Sequence, residues 1–172
     1  MARPRTFDLD ETTRAAMNLF WERGYDGVGL ADLLDAMGIV RGSFYKAYGS
    51  KKEVFLQAID LYRRDVLDPA VEFLENGGGS GRERVEAVFE RGRGAGYESR
   101  RGCLLCNTAA SGAGVDEDVA ARVSRDLGRL KQAFATALGE ADDARVQHEA
   151  ERLTLQYIGL RVSQRAGMTT TK

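Results

Sequence analysis

Two cysteines stand three residues apart, Cys103 and Cys106, in a C-x-x-C spacing. On a helix that spacing puts both thiols on one face. Cys103 would fall in the first turn, where the helix dipole favours a thiolate that can be oxidised or attack an electrophile such as a quinone. The same pair can also be two small buried hydrophobes. A zinc site lacks ligands, because His148 is the only histidine and there is no third cysteine. A thioredoxin-like reading fails because no βαβ pattern surrounds the motif. No cofactor is implied, and a thiol oxidoreductase remains a distant alternative.

The second group able to do chemistry is RGSFYKAYGSKK, residues 41 to 52. It holds Arg41, Lys46, Lys51 and Lys52 with Ser43, Tyr45 and Tyr48, and no acid. The whole chain of 172 residues has a formal net charge of −1, so a nucleic-acid partner would have to be met by a local patch. A solvated basic loop is the plain alternative. An architectural DNA binder is disfavoured, because it would draw its affinity from many phosphate contacts.

These groups must be positioned by helices. Only two prolines occur, and period-2 alternation is scarce. The pattern predicts an all-α chain. Helices are expected from about Asp10 to Arg23, Leu30 to Met37 and Arg41 to Ala47. A longer one opens at Ser50, with Glu53 completing a capping box, and bends near Pro69. NGGGSG, residues 76 to 81, reads as a loop or weakly ordered connector. Further helices follow at Arg82 to Tyr97, Gly102 to Ser111, Asp116 to Leu138 and Asp143 to Arg165. No apolar run reaches the roughly 18 residues of a membrane span. The N-terminus lacks the apolar region of a signal peptide. A cytoplasmic protein with no membrane partner is expected.

Two short helices joined through Gly38 match a helix-turn-helix. Ile39 would plug the angle and Phe44 would anchor the second helix. Arg41, Gly42, Ser43, Tyr45, Lys46 and Tyr48 are then left for the outer face, the first of them toward base edges. Lys51 and Lys52 lie where the next helix starts, a place that favours a phosphate.

The stretch LFWERGYDGVGLADLLDAMGIVRGSFYKAYGSKKEVFLQAI resembles the N-terminal domain of TetR-family transcriptional regulators. The likeness covers about residues 8 to 60. Its markers are Phe20, Gly24, Tyr25, Leu33, Leu34, Gly38, the Gly42 to Tyr45 run and the Tyr48 to Lys51 run. The resemblance implies a DNA-binding head over 1–49 and a helical ligand-sensing and dimerisation body over 50–172. It implies a homodimer on double-stranded operator DNA, acting as a repressor until a small apolar or electrophilic effector binds. Tyr45 and Lys51 match the family's phosphate-contacting positions, and Arg41, Gly42, Ser43 and Lys46 its recognition-helix contacts. Gly29 stands where the family usually has a capping Ser or Thr, so a phosphate contact is lost. Arg3 and Arg5 could replace it from a terminal arm, which is more often disordered.

GCLLCNTAASGAGVDEDVAARV, in the second half, resembles a TetR subfamily at the short helix bordering the ligand cavity. The expected ligand-binding residues are Phe89, Tyr97, Cys103, Leu104, Cys106, Asn107, Leu130 and Phe134, with Tyr97 and Asn107 as polar groups in an apolar site. Plain core packing, with Asn107 as a cap, is the alternative. A thiol-redox or electrophile-sensing regulator using Cys103 and Cys106 is a second reading.

The last helix carries apolar residues on two faces. Val146, Ala150, Leu153, Tyr157 and Leu160 make one; Leu155, Ile158 and Val162 make the other, beside Gly159. One face suffices for a surface helix. The second is expected to meet a twofold partner and to set two recognition helices about 34 Å apart or somewhat more. A missing intramolecular neighbour is the competing explanation. The chain stops at RAGMTTTK where the family usually adds another dimer helix, so a smaller interface or other helices are expected there.

Overall fold

The computed structural model describes residues 7–94, 100–139 and 143–168. Among them no strand occurs. Helix α1 is Leu9–Arg23, α2 Leu30–Met37, α3 Arg41–Tyr48 and α4 Lys51–Tyr62. A π turn, Arg63–Leu67, joins α4 to α5, Asp68–Asn76. Then come α6 (Gly81–Arg93), α7 (Leu104–Ala109), a 3₁₀ turn (Gly112–Val115), α8 (Glu117–Leu138) and α9 (Ala144–Arg165).

The head is built on aromatic packing. Phe20 on α1, Leu33 on α2, Phe44 on α3 and Phe55 on α4 are each at most 1% exposed. Phe20 and Phe55 meet edge-on at 4.9 Å. Asp8 caps α1 by accepting from the Asp10 and Glu11 N–H groups. Gly38 ends α2 in the left-handed region, at φ 63° and ψ 29°. There a side chain would be strained, so glycine permits the tight turn into α3. The expected plug and anchor are both buried, Ile39 and Phe44.

The bend expected near Pro69 is a π turn just ahead of it. Proline lacks an N–H and its ring crowds the carbonyl four residues back. The wider register absorbs that conflict, with the Asp68 N–H reaching Arg63 O. The glycine connector is more ordered than its composition predicts. Ser80 and Glu83 form a full capping box on α6. A Cβ on Gly81 would lie 1.5 Å from Ala137 O, so the start of α6 rests directly on the end of α8. In the body, α8 packs against α9, α5 and α6, and α4 touches it from the head side.

Candidate nucleic-acid interface and effector cavity

Helix α3 presents one row outward. Arg41, Gly42, Tyr45 and Lys46 are exposed and Ser43 is half-buried. Behind them Phe44 is fully buried and stands edge-on to Tyr45 at 5.4 Å. That contact sets the direction of the Tyr45 ring. Lys51, in the first turn of α4, lies over the Tyr25 ring with its Nζ 4.2 Å from the centroid. A cation held on a π face remains available to an anion. Gly29 heads α2 without a side chain, and Asp32 accepts its N–H at 2.8 Å. Arg3 and Arg5 lie outside the described residues.

Two residues expected on the DNA face are elsewhere engaged. Tyr48 is 4% exposed, and its hydroxyl meets Thr12 Oγ1 at 2.6 Å and Thr13 Oγ1 at 3.1 Å. It ties α3 to α1, because its position four residues after Phe44 puts it on the same inward stripe. Lys52 turns to the body, with Nζ 2.8 Å from Asp116 Oδ2 and 2.7 Å from Asp118 Oδ2. Those two carboxylates raise the Lys52 pKa, and Lys52 in turn lowers that of Asp116. Asp116 is also the N-cap of α8.

Among the described residues three such links join head to body, besides the ion pairs of Arg14 with Asp65 and Arg64 with Asp10 between α1 and the π turn. The second is Arg101, which stacks over Trp21 at 4.0 Å and donates to Asn18 O and Oδ1. The third is Arg165 at the end of α9, donating to Trp21 O at 3.0 Å and Glu22 O at 2.8 Å. Arg165 satisfies carbonyls at the end of α1 that the helix itself leaves open, and Arg101 adds a second bond to a carbonyl one turn earlier.

The body holds two adjoining cavities. The larger, about 170 Å³, lies between the π turn and α5 on one side and α6 and α9 on the other. Tyr62, Val66, Phe73, Val88 and Tyr157 line it with Arg91 and Arg161. The smaller, about 30 Å³, shares Tyr62, Val66 and Tyr157 and reaches Cys103, Leu105, Leu127 and Leu130. Of the residues expected to bind a ligand, Cys103 and Leu130 line this space. Phe89 and Phe134 do not: with Tyr157 they form an aromatic layer, the rings 5.7 to 6.4 Å apart, and only Tyr157 reaches the opening. Leu104 and Cys106 point into the packed core instead, 1% and 2% exposed. Asn107 caps rather than lines, donating to Arg101 O at 2.8 Å. Tyr97 lies outside the described residues. Sequence reasoning missed Val66, Arg91 and Arg161. The one available sign was Pro69, which forces the π turn that carries Val66 to the wall.

Cys103 is the N-cap of α7, one residue ahead of the first turn. Its neighbours, not a long helix dipole, decide its ionisation. The Cys106 thiol donates to it and lowers its pKa against the opposing effect of burial; the Tyr62 hydroxyl and the Arg161 charge act in the same sense. Cys106 is driven up by the same bond and by burial. Both thiols are free and buried. Among the described residues no group of side chains could hold a metal ion.

Comparison with known proteins agrees with this geometry. The family of bacterial regulatory proteins, tetR family, matches residues 13–58. The HTH-type transcriptional regulator YezE of Bacillus subtilis is 33% identical over 145 residues, covering 83% of this chain and 74% of that protein. The chain belongs to the TetR family. It is a transcriptional regulator with a helix-turn-helix head, not an enzyme. A cysteine mutant of the TetR-family regulator CifR, complexed with 26-bp double-strand operator DNA, superposes with a TM-score of 0.84 at 31% identity. That match spans 96% of this chain and 91% of CifR. The HTH-type transcriptional repressor BdcR of Escherichia coli is 33% identical over 104 residues, 60% of this chain and 52% of BdcR. Among the described residues no helix is long and apolar enough to cross a membrane.

Proposed function

We propose that the chain is a cytoplasmic homodimeric repressor, released from operator DNA when a small molecule enters the cavity behind the π turn. The outward row of α3 carries the reading, because Phe44 and Tyr48 lock that helix while Arg41, Gly42, Ser43, Tyr45 and Lys46 stay free. Arg41 and Lys46 read bases; Ser43, Tyr45 and Lys51 hold phosphates. The names of BdcR and CifR, a repressor and an operator-bound regulator, support the same assignment. Two copies meet through α9, where Leu155 is 63% exposed and Val162 42% exposed beside Ile158 and Gly159. A Cβ on Gly159 would touch nothing in its own chain, which leaves room for a partner helix.

The effector acts through the head-to-body links. The cavity lies against Tyr62 and the π turn, at the far end of the helix α4 that starts beside the head. A ligand must prefer the spacing of heads that does not fit DNA, since equal affinity for both shifts nothing. Fluorescence anisotropy against DNA from upstream of the chain's own gene, with scrambled DNA at the same salt, tests the reading. Selective binding is expected; equal affinity for both DNAs overturns it.

A second reading is favoured by Cys103. Its lowered pKa and its place on the smaller cavity fit a thiolate that adds to an electrophile such as a quinone. The thiolate sulfur bonds to a ring carbon, the ring C=C π bond breaks with its electron pair passing to the carbonyl oxygen, and that oxygen takes a proton from water. Release of DNA by a quinone in the wild type, and its loss in Cys103→Ser, is the expected result. Release that persists in Cys103→Ser sinks this reading and leaves the first intact.

A further inference from the structure

The larger cavity combines apolar walls with two cations and no acid. Among the described residues Arg91 and Arg161 are its only charged lining residues. Among the described residues neither is in an ion pair. Arg161 is held by neutral oxygens alone: Gly92 O at 2.9 Å, Gly102 O at 2.5 Å and Gln164 Oε1 at 2.9 Å. Its Nε is buried with no partner. A half-buried guanidinium lacking a counter-charge loses hydration without regaining it as Coulomb attraction. Elsewhere on this chain arginines find carboxylates: Arg64 meets Asp10, and Arg129 meets Asp68 at 2.6 Å. Among the described residues Arg84 and Arg165 are also held by carbonyl oxygens without an ion pair, and Arg91 and Arg161 differ from them in lining this cavity.

We propose that this cavity takes a small organic carboxylate, its apolar body among Val66, Phe73 and Val88 and its charge met by Arg91 and Arg161. The proposal rests on reading the cavity as the effector site and names the chemical class of the effector. Size agrees: a cavity of roughly 150 Å³ holds a benzene, and here about 170 Å³ is present. One ring or a short alkyl chain with a carboxylate fills it. Arg91 is exposed and Val66 is 40% exposed, so they mark the mouth. Arg91 has its whole fork free for a carboxylate, and Arg161 has two N–H groups left, one on Nη2 and the buried Nε. The position of the site explains how charge would matter. Arg161 grips the carbonyls of Gly92 and Gly102, and Gly102 follows Arg101, which stacks on Trp21 of the head. An anion that draws on Arg161 therefore bears on the segment that holds α1.

Calorimetric titration of the full chain with phenylacetate, benzoate and hexanoate tests this, with phenylacetamide as the neutral control. At least one acid should bind saturably, and phenylacetate should exceed its amide by at least about tenfold, near 1.4 kcal/mol. Arg91→Met, at an exposed site without an ion pair, should fold normally and erase most of that preference. Arg161→Lys, which keeps the charge but not the fork, should retain part of it. No saturable binding of any of the three acids overturns the proposal. So does equal binding of acid and amide, which leaves an apolar effector site standing. Anisotropy on operator DNA with the bound acid separates the two readings: a carboxylate that binds without changing DNA affinity keeps the site and removes its role as effector.

Discussion

The head and the body of this chain solve packing in opposite ways. In the head the largest side chains are sealed, Phe20, Phe44 and Phe55 all at 1% exposure or less, and the Tyr48 hydroxyl is doubly partnered. In the body, helices of 6 to 22 residues and a π turn enclose cavities. A DNA-reading surface has to hold several side chains to within fractions of an ångström. A sensing body has to have two arrangements of similar energy. Close packing serves the first need and open space the second.

The contrast can be broken first by truncation. Phe44→Ala should destabilise the chain by about 3 to 5 kcal/mol, because a sealed core cannot collapse around the lost ring. Ala70→Leu at the cavity wall should cost less than about 1.5 kcal/mol, since there is space to fill. Urea unfolding of both variants checks this, and equal losses would erase the distinction. Next in size is the DNA face. Lys51→Ala should weaken binding to every sequence and lower the salt slope by about one. Anisotropy at several salt concentrations reads it; an unchanged slope removes Lys51 from the phosphate contacts. Arg41→Ala should instead relax sequence preference.

Smaller effects sharpen the comparison. Tyr48→Phe should cost about 1 kcal/mol of stability through its lost hydrogen bonds to Thr12 and Thr13. It should leave the salt slope of DNA binding alone, in contrast to Lys51. The smallest concerns the link from Lys52 to α8. Lys52 holds the Asp116 pKa below its usual 3.8. A carboxylate lowered in this way stabilises the folded form above that value, and the contribution is lost as the pH falls through the lower folded pKa. The difference in urea midpoint between wild type and Lys52→Ala should therefore be present at neutral pH and vanish once Asp116 is protonated, below 3.8. A difference that persists unchanged in acid would mean that Lys52 acts through packing alone.

Much of the head was legible because its signals are local. Gly38 punctuates the turn, the leucines of α2 repeat at helical spacing, and Ser50 caps where a short polar side chain precedes a helix. The two misplaced residues, Tyr48 and Lys52, show the limit of such signals. A tyrosine beside cations looks like a DNA contact until α1 supplies the threonines that receive it. A lysine at a helix start looks like a phosphate ligand until Asp116 and Asp118 arrive from far along the chain. The body was harder for the same reason. Phe89, Leu104 and Phe134 are apolar at the right spacing, yet apolar spacing does not distinguish a wall from the layer behind it.

Composition, periodicity and turn residues by themselves determined an all-helical chain, the helix-turn-helix and the arginines, lysines and tyrosines near it, because helices and turns are set by residues a few positions apart. Only the tertiary structure decided which cations remain free. Charge pairing across the fold occupies Lys52 and Arg64, whereas Arg91 and Arg161 face a cavity that no acid among the described residues lines. Coulomb attraction acts over ångströms in space and not over positions in sequence. The openings beside those arginines are likewise a product of how α4, α6 and α9 meet, which no single segment contains.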